Sequence, residues 1–151
     1  MYAMELTGVK NEEDLIDDNF KLIDNDPNRN VYTTKNIQDK IIIVNNADIN
    51  ACISNVEKVE NSEVDGVYGG YGYNTNNNVI EISSDSLIYR DVAGGAYGES
   101  NNYNTLRIED SKIVMDVFGG GYGSDNNFNK ITLINTTANN RGYSVAGGYY
   151  I

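Results

Sequence analysis

The chain has 151 residues, with 22 Asp and Glu against 11 Lys and Arg, for a net charge of −11. That length suits one domain, and that charge repels phosphate backbones and acidic membranes, so nucleic acid is excluded as an expected partner. There is no histidine and one cysteine, Cys52, which removes Ser-His-Asp and Cys-His catalysis, the commonest zinc sites and any internal disulfide.

The composition is uneven. Residues 1–65 hold 14 acids against 6 Lys and Arg, and only Gly8 among the 15 glycines. The start, Met1-Tyr2-Ala3-Met4-Glu5, lacks the basic and apolar regions of a signal peptide, so an exported parent is expected to carry one upstream. The longest apolar run, Ile41-Ile42-Ile43-Val44, is far too short to cross a bilayer as a helix, and no membrane insertion of this segment is expected.

Residues 1–38 are expected to be an acidic N-terminal cap, helical or irregular. Asn11-Glu12-Glu13-Asp14 has the form of a helix start, with a capping Asn and acids in the first turn. Leu15, Ile16, Phe20 and Ile23 would supply an apolar stripe, and Pro27 would end the helix. Asp24-Asn25-Asp26-Pro27-Asn28-Arg29-Asn30 places oxygens at alternate positions, as a calcium loop does. It has Arg29 where such a loop needs Gly and Lys35 where it needs Glu, so it reads as a polar turn. Asp39-Lys40-Ile41-Ile42-Ile43 then looks like a partial first repeat, with Asn50–Val64 as an insertion after it.

From residue 67 the chain repeats. Val67-Tyr68-Gly69-Gly70, Val92-Ala93-Gly94-Gly95, Val117-Phe118-Gly119-Gly120 and Val145-Ala146-Gly147-Gly148 recur at steps of 25, 25 and 28 residues. A tyrosine follows each pair of glycines, then a stretch of Asn, Ser and Asp. An Asn next opens an alternating segment: Asn78-Val79-Ile80-Glu81-Ile82, Asn104-Thr105-Leu106-Arg107-Ile108 and Asn129-Lys130-Ile131-Thr132-Leu133. Alternation with β-branched residues predicts half-buried strands. A second short strand follows at Asp85-Ser86-Leu87-Ile88 and Asp110-Ser111-Lys112-Ile113.

Three short strands and three turns in each unit predict one coil of a parallel β-helix, a solenoid over 39–151 with clear units at 67–91, 92–116 and 117–144. One such unit cannot bury its apolar stripe alone, whereas stacked units can. Hairpins are disfavoured because the linkers repeat by unit rather than by strand pair.

Each recurring residue has a structural reading beside a functional one. Asn78, Asn104 and Asn129 predict a ladder of side-chain amides between coils. Tyr71, Tyr97 and Tyr122 predict a stack that either packs over the turns or forms an exposed ligand-binding strip. Asp65, Asp91 and Asp116 would lie roughly 5 Å apart. They could work as catalytic carboxylates, or accept backbone hydrogen bonds in turns. Gly120-Gly121-Tyr122-Gly123-Ser124-Asp125 fits a calcium β-roll turn once, so Asp125 is a weak metal candidate, but that chemistry needs the motif every nine residues. No cofactor is expected, and Cys52 reads as a small buried apolar side chain.

The unit Val-x-Gly-Gly-x-Tyr-Gly followed by Asn-x-Val-x-Ile, clearest over Val67–Ile82 and repeated at Val92–Ile108 and Val117–Leu133, resembles repeats in passenger regions of Gram-negative autotransporter adhesins. The resemblance implies a right-handed parallel β-helix, export to the cell surface, covalent continuity with a longer parent chain, and a non-catalytic adhesin or stalk role. It implies a host or neighbouring-cell surface protein or glycan as partner, and it transfers no functional residue. The alternatives are a carbohydrate-active β-helix (polysaccharide lyase, hydrolase or tailspike-like) and a calcium-binding β-roll.

Overall fold

The computed structural model describes residues 2–10, 15, 20–27, 29–34, 40–72, 75–138 and 145–148. Among these the chain is all-β, with no α-helix. One sheet has six strands: β1 (Tyr2–Thr7), β4 (Lys40–Asn45), β6 (Val56–Glu60), β8 (Val79–Ser83), β11 (Thr105–Glu109) and β14 (Lys130–Ile134). They lie side by side in that order and every neighbouring pair is parallel.

The second sheet runs through β2 (Phe20–Asp26), β3 (Arg29–Thr34), β5 (Asp48–Ile53), β7 (Glu63–Tyr68), β10 (Val92–Ala93), β13 (Val117–Phe118) and β15 (Val145–Ala146). Its remaining strands, β9 (Leu87–Ile88) and β12 (Lys112–Ile113), continue from the front half of β7. One long strand, β7, thus pairs with two short ones, β9 and β10, and Tyr89-Arg90-Asp91 turns the chain between them. Only β2 and β3 pair antiparallel among the described strands.

The register follows the repeat. Leu106 stands opposite Ile80 and Ile131, and Ile108 opposite Ile82 and Leu133. A one-residue slip would turn these side chains from core to solvent, so burial fixes the pairing. The repeat length is kept by compensation. Asn78 and Asn104 are 26 residues apart, whereas Leu87 pairs with Lys112 and Val67 with Val92. The turn before β9 spends two left-handed residues, Ser84 and Asp85, where the equivalent turns use one: Asn46, Asn61, Asp110 and Asn135. Asn and Asp tolerate that backbone because their short polar side chains bond locally.

Two cores result. The larger lies between the sheets and contains Ile42, Val44, Ile49, Val59, Val64, Val67, Ile80, Ile82, Ile88, Val92, Leu106, Ile108, Ile113 and Val117. Each fully buried Val, Leu or Ile contributes roughly 1.5–3 kcal/mol. The smaller core holds Val31, Cys52, Tyr68, Ala93, Ala96 and Phe118 on the other side of the second sheet. Successive side chains of a strand face opposite ways. That explains the apolar pair before each Gly-Gly: Val67, Val92 and Val117 enter the large core, while Tyr68, Ala93 and Phe118 enter the small one.

Two expectations need correction. Phe20 and Ile23 lie on β2, not on a helix, and Pro27 sits in the turn of the β2–β3 hairpin, where Asp26 pairs with Arg29. The expected helix start (11–14) and Ile16 lie outside the described residues; Leu15 is fully buried in the large core. The stretch Asn50–Val64 is not an insertion. It supplies most of β5, all of β6 and the start of β7, so Val44 pairs with Val59 and Ile49 with Val64, a shorter step of 15 residues. Val56, Val59 and Val64 bury their side chains there as Ile80, Ile82 and Ile88 do one repeat later.

Candidate functional site

The recurring residues after each short strand build one edge of the stack. Gly94 is there because no side chain fits. A Cβ on it would lie 2.0 Å from the Gly119 carbonyl oxygen and 2.7 Å from the Asn104 Cβ. The backbones of successive repeats are therefore in contact, and Gly94 N donates to the Phe118 carbonyl at 3.0 Å.

Beyond the glycines, the rings of Tyr97 and Tyr122 stack at 4.6 Å with planes 9° apart, and Tyr71 lies 5.6 Å from Tyr97, tilted by 43°. Tyr68 and Phe118 meet this column edge-on from beneath. All three tyrosines are half-buried and roof the smaller core. Two of the hydroxyls anchor the column: Tyr71 donates to Asp24 Oδ2 at 2.6 Å and Tyr122 to Asp91 Oδ2 at 3.2 Å. The column is therefore packed between core and turn, with a shallow groove along Tyr97, Tyr122, Gly98 and Gly123.

Of the three aspartates expected in one column, Asp91 is 8% exposed and its Oδ1 accepts from the Asp116 backbone N–H at 3.1 Å. Burial pushes its carboxyl above the usual range, and the Asp116 carboxylate adds to the rise, while the hydrogen bonds from Asp116 N–H and Tyr122 oppose it. Tyr122 is pushed up as well, first by burial and then by Asp91. Asp65 and Asp116 are half-buried. The Asp65 carbonyl accepts from Arg90 N–H at 2.6 Å, and the Asp116 carbonyl from Val92 N–H at 3.0 Å. Asp91 thus uses its carboxylate to hold the backbone just before β13.

Asn78, Asn104 and Asn129 form a column. Asn104 Oδ1 accepts from both the backbone N–H and the side-chain amide of Asn78, at 2.9 and 3.0 Å. Asn129 Oδ1 accepts the same pair from Asn104, at 2.9 and 3.2 Å. Asn104 and Asn129 each thus satisfy a backbone donor where the preceding repeat enters its strand, and Asn104 shows why the residue must be an amide: it accepts and donates at once. Asn104 is fully buried in this role.

A second polar column runs beside it. Asn102 N–H donates to Asn76 Oδ1 at 2.7 Å, and Asn127 N–H to Asn102 Oδ1 at 2.6 Å. Asn102 Nδ2 also donates to Asp125 Oδ2 at 2.9 Å, and Asn127 Nδ2 to Asp125 Oδ1. Asp125, the weak metal candidate, is exposed and held by amides. Among the described residues no group of three or more His, Cys, Asp or Glu is placed to hold a metal ion.

Between the two columns stand two residues outside every motif read from the sequence. Tyr103 and Phe128 are 57% and 76% exposed, and their rings stack at 5.0 Å with planes 13° apart. Both have left-handed backbones, at φ 58° and 56°, as does Asn77 one repeat earlier at φ 61°. Asn suits that conformation, whereas bulky aromatic residues are disfavoured in it. A signal was present: each sits immediately before a ladder asparagine, as Tyr103-Asn104 and Phe128-Asn129.

No protein-family model, curated protein or solved structure matches the chain.

Proposed function

We propose that this chain is a segment of a right-handed parallel β-helix belonging to the surface-exposed passenger of a bacterial autotransporter, where it acts as a non-catalytic adhesin or stalk. The observation that carries this reading is the in-register parallel pairing of successive repeats, Val67 with Val92, Val92 with Val117 and Val117 with Val145, alongside Ile80 with Leu106 and Leu106 with Ile131. Units stacked in this way make a quasi-one-dimensional body in which each contacts only its neighbours. Such a body suits extension from a surface.

The recurring polar residues support a scaffold role. Asn78, Asn104 and Asn129 bond one another, and Asp91 is bonded to Asp116 N–H and Tyr122. The acidic charge of −11 favours solubility over contact with anionic surfaces. The partner in this reading is a protein or glycan on a host or neighbouring cell.

Antibodies raised against the purified chain test the proposal. They are expected to label intact, unpermeabilised cells of the source organism, and external protease should remove the label. Labelling that appears only after permeabilisation would overturn the surface assignment, and cleavage of a polysaccharide by the purified chain would overturn the non-catalytic one.

A further inference from the structure

We propose that the corner formed by Tyr103, Phe128, Asn102, Asn127 and Asp125 binds an uncharged hexose unit of a glycan, an inference that rests on the surface reading above for its biological setting. The first observation is the backbone. At this corner Asn77 takes the left-handed conformation that Asn tolerates, while the next two repeats place Tyr103 and Phe128 in it. Tyr103, which has a described repeat on either side, is mainly in solvent even so, so little burial offsets that conformation. Strained residues that burial does not explain point to a task other than folding.

The second observation is what surrounds the rings. Asp125 is exposed, and each of its oxygens is engaged by one amide, from Asn102 and Asn127. A carboxylate oxygen can accept more than one hydrogen bond, so this anchored group retains capacity for two adjacent hydroxyls. Asn127 is also exposed and is the chain neighbour of Phe128. Both amide hydrogens of Asn102 are spent, on Ser100 and Asp125, whereas Asn127 keeps one beyond its bond to Asp125. A carboxylate acceptor, that amide donor and an apolar ring on one corner match a pyranose, which has hydroxyls at its rim and a C–H face to lay against an aromatic side chain.

The surroundings select among ligands. Asp125 and the chain's charge of −11 disfavour acidic sugars. A peptide added as a strand would need unpaired backbone groups, but the N–H groups of Asn77 and Tyr103 already donate to Asn102 and Asn127 carbonyls at 3.0 Å.

The test titrates the intact, isotope-labelled chain with gluco-, manno- and galacto-oligosaccharides, following backbone and side-chain amide resonances. Saturable shifts are expected at Asn102, Tyr103, Asn127 and Phe128 for at least one series. The double variant Tyr103→Asn and Phe128→Asn restores the residue type that Asn77 shows to be compatible with this backbone. It should keep the native circular dichroism while weakening binding at least about tenfold, as should Asp125→Ala. The inference is overturned if no series binds, if shifts map elsewhere, or if the folded double variant binds as the native chain does. Binding to the purified chain is independent of where the chain resides, so intact-cell labelling can fail while sugar binding stands, and the reverse.

Discussion

Replacing Asn104 by alanine removes the centre of the amide ladder. The variant loses the acceptor for Asn78 N–H at 2.9 Å, the acceptor for Asn78 Nδ2 at 3.0 Å and the donor to Asn129 Oδ1 at 3.2 Å. Three net hydrogen bonds at about 1 kcal/mol each, plus the penalty for a backbone N–H left unpaired near the core, give about 3–5 kcal/mol. Asn78→Ala is the internal control. Among the described residues it forfeits only the bond from its own Nδ2, worth about 1 kcal/mol. Urea unfolding followed by far-ultraviolet circular dichroism, with slopes compared to confirm a similar transition, measures both. Equal losses in the two variants would refute the reasoning, because the ladder's direction would then carry no energetic meaning.

The glycine column offers a similar pair. Gly94→Ala should cost about 3 kcal/mol, at the upper end of overpacking penalties, because its Cβ would enter the Gly119 carbonyl. Gly147→Ala, with nothing within 4 Å of its Cβ, should stay within about 0.5 kcal/mol of native; the same urea assay reads both. For Asp91, burial raises the folded carboxyl's pKa above its ordinary value. The folded state therefore binds more protons than the unfolded one, and this group's effect is to lower stability as pH rises through its raised pKa. Asp91→Asn should accordingly raise the melting temperature at pH 7, with the gain shrinking as pH falls toward the ordinary carboxylate range; a gain independent of pH would contradict the assignment. Melting should not change between calcium and EDTA, since amides hold Asp125, and a calcium-dependent rise would favour the β-roll alternative.

Repetition is what makes part of this fold legible in the sequence. Ile80, Ile82, Leu106 and Ile108 announce half-buried strands by alternation, and Asn78, Asn104 and Asn129 recur at a spacing that places them side by side just before three neighbouring strands. The shorter step of 15 residues is masked by the longer repeat that follows it, although Val59-Glu60-Asn61-Ser62-Glu63-Val64 mirrors Val44-Asn45-Asn46-Ala47-Asp48-Ile49. The Phe20–Asp26 strand is ambiguous in sequence because Leu15, Ile16, Phe20 and Ile23 also fit a helical period, and pairing with β3 decides the matter. The smaller core leaves no alternating signal, since burial on both faces of a strand erases alternation. At the edge of that core, the tyrosine column is legible as a stack but not as a roof: only the bonds from Tyr71 to Asp24 and Tyr122 to Asp91 reveal which way it is anchored. Tyr103 and Phe128 are invisible as a pair because their shared trait is a backbone angle, which the residue types argue against.

The strands of the six-stranded sheet form a single parallel stack. Glu5, Ile43, Lys58, Glu81, Arg107 and Thr132 occupy successive partner positions across the six-stranded sheet. Electron spin–spin distance measurement tests this directly, with Cys52→Ala as background and labels on Glu5→Cys and Thr132→Cys. Five strand spacings separate the two sites, so a narrow distribution near about 24 Å is expected. A broad distribution, or one centred beyond about 35 Å, would contradict the stack.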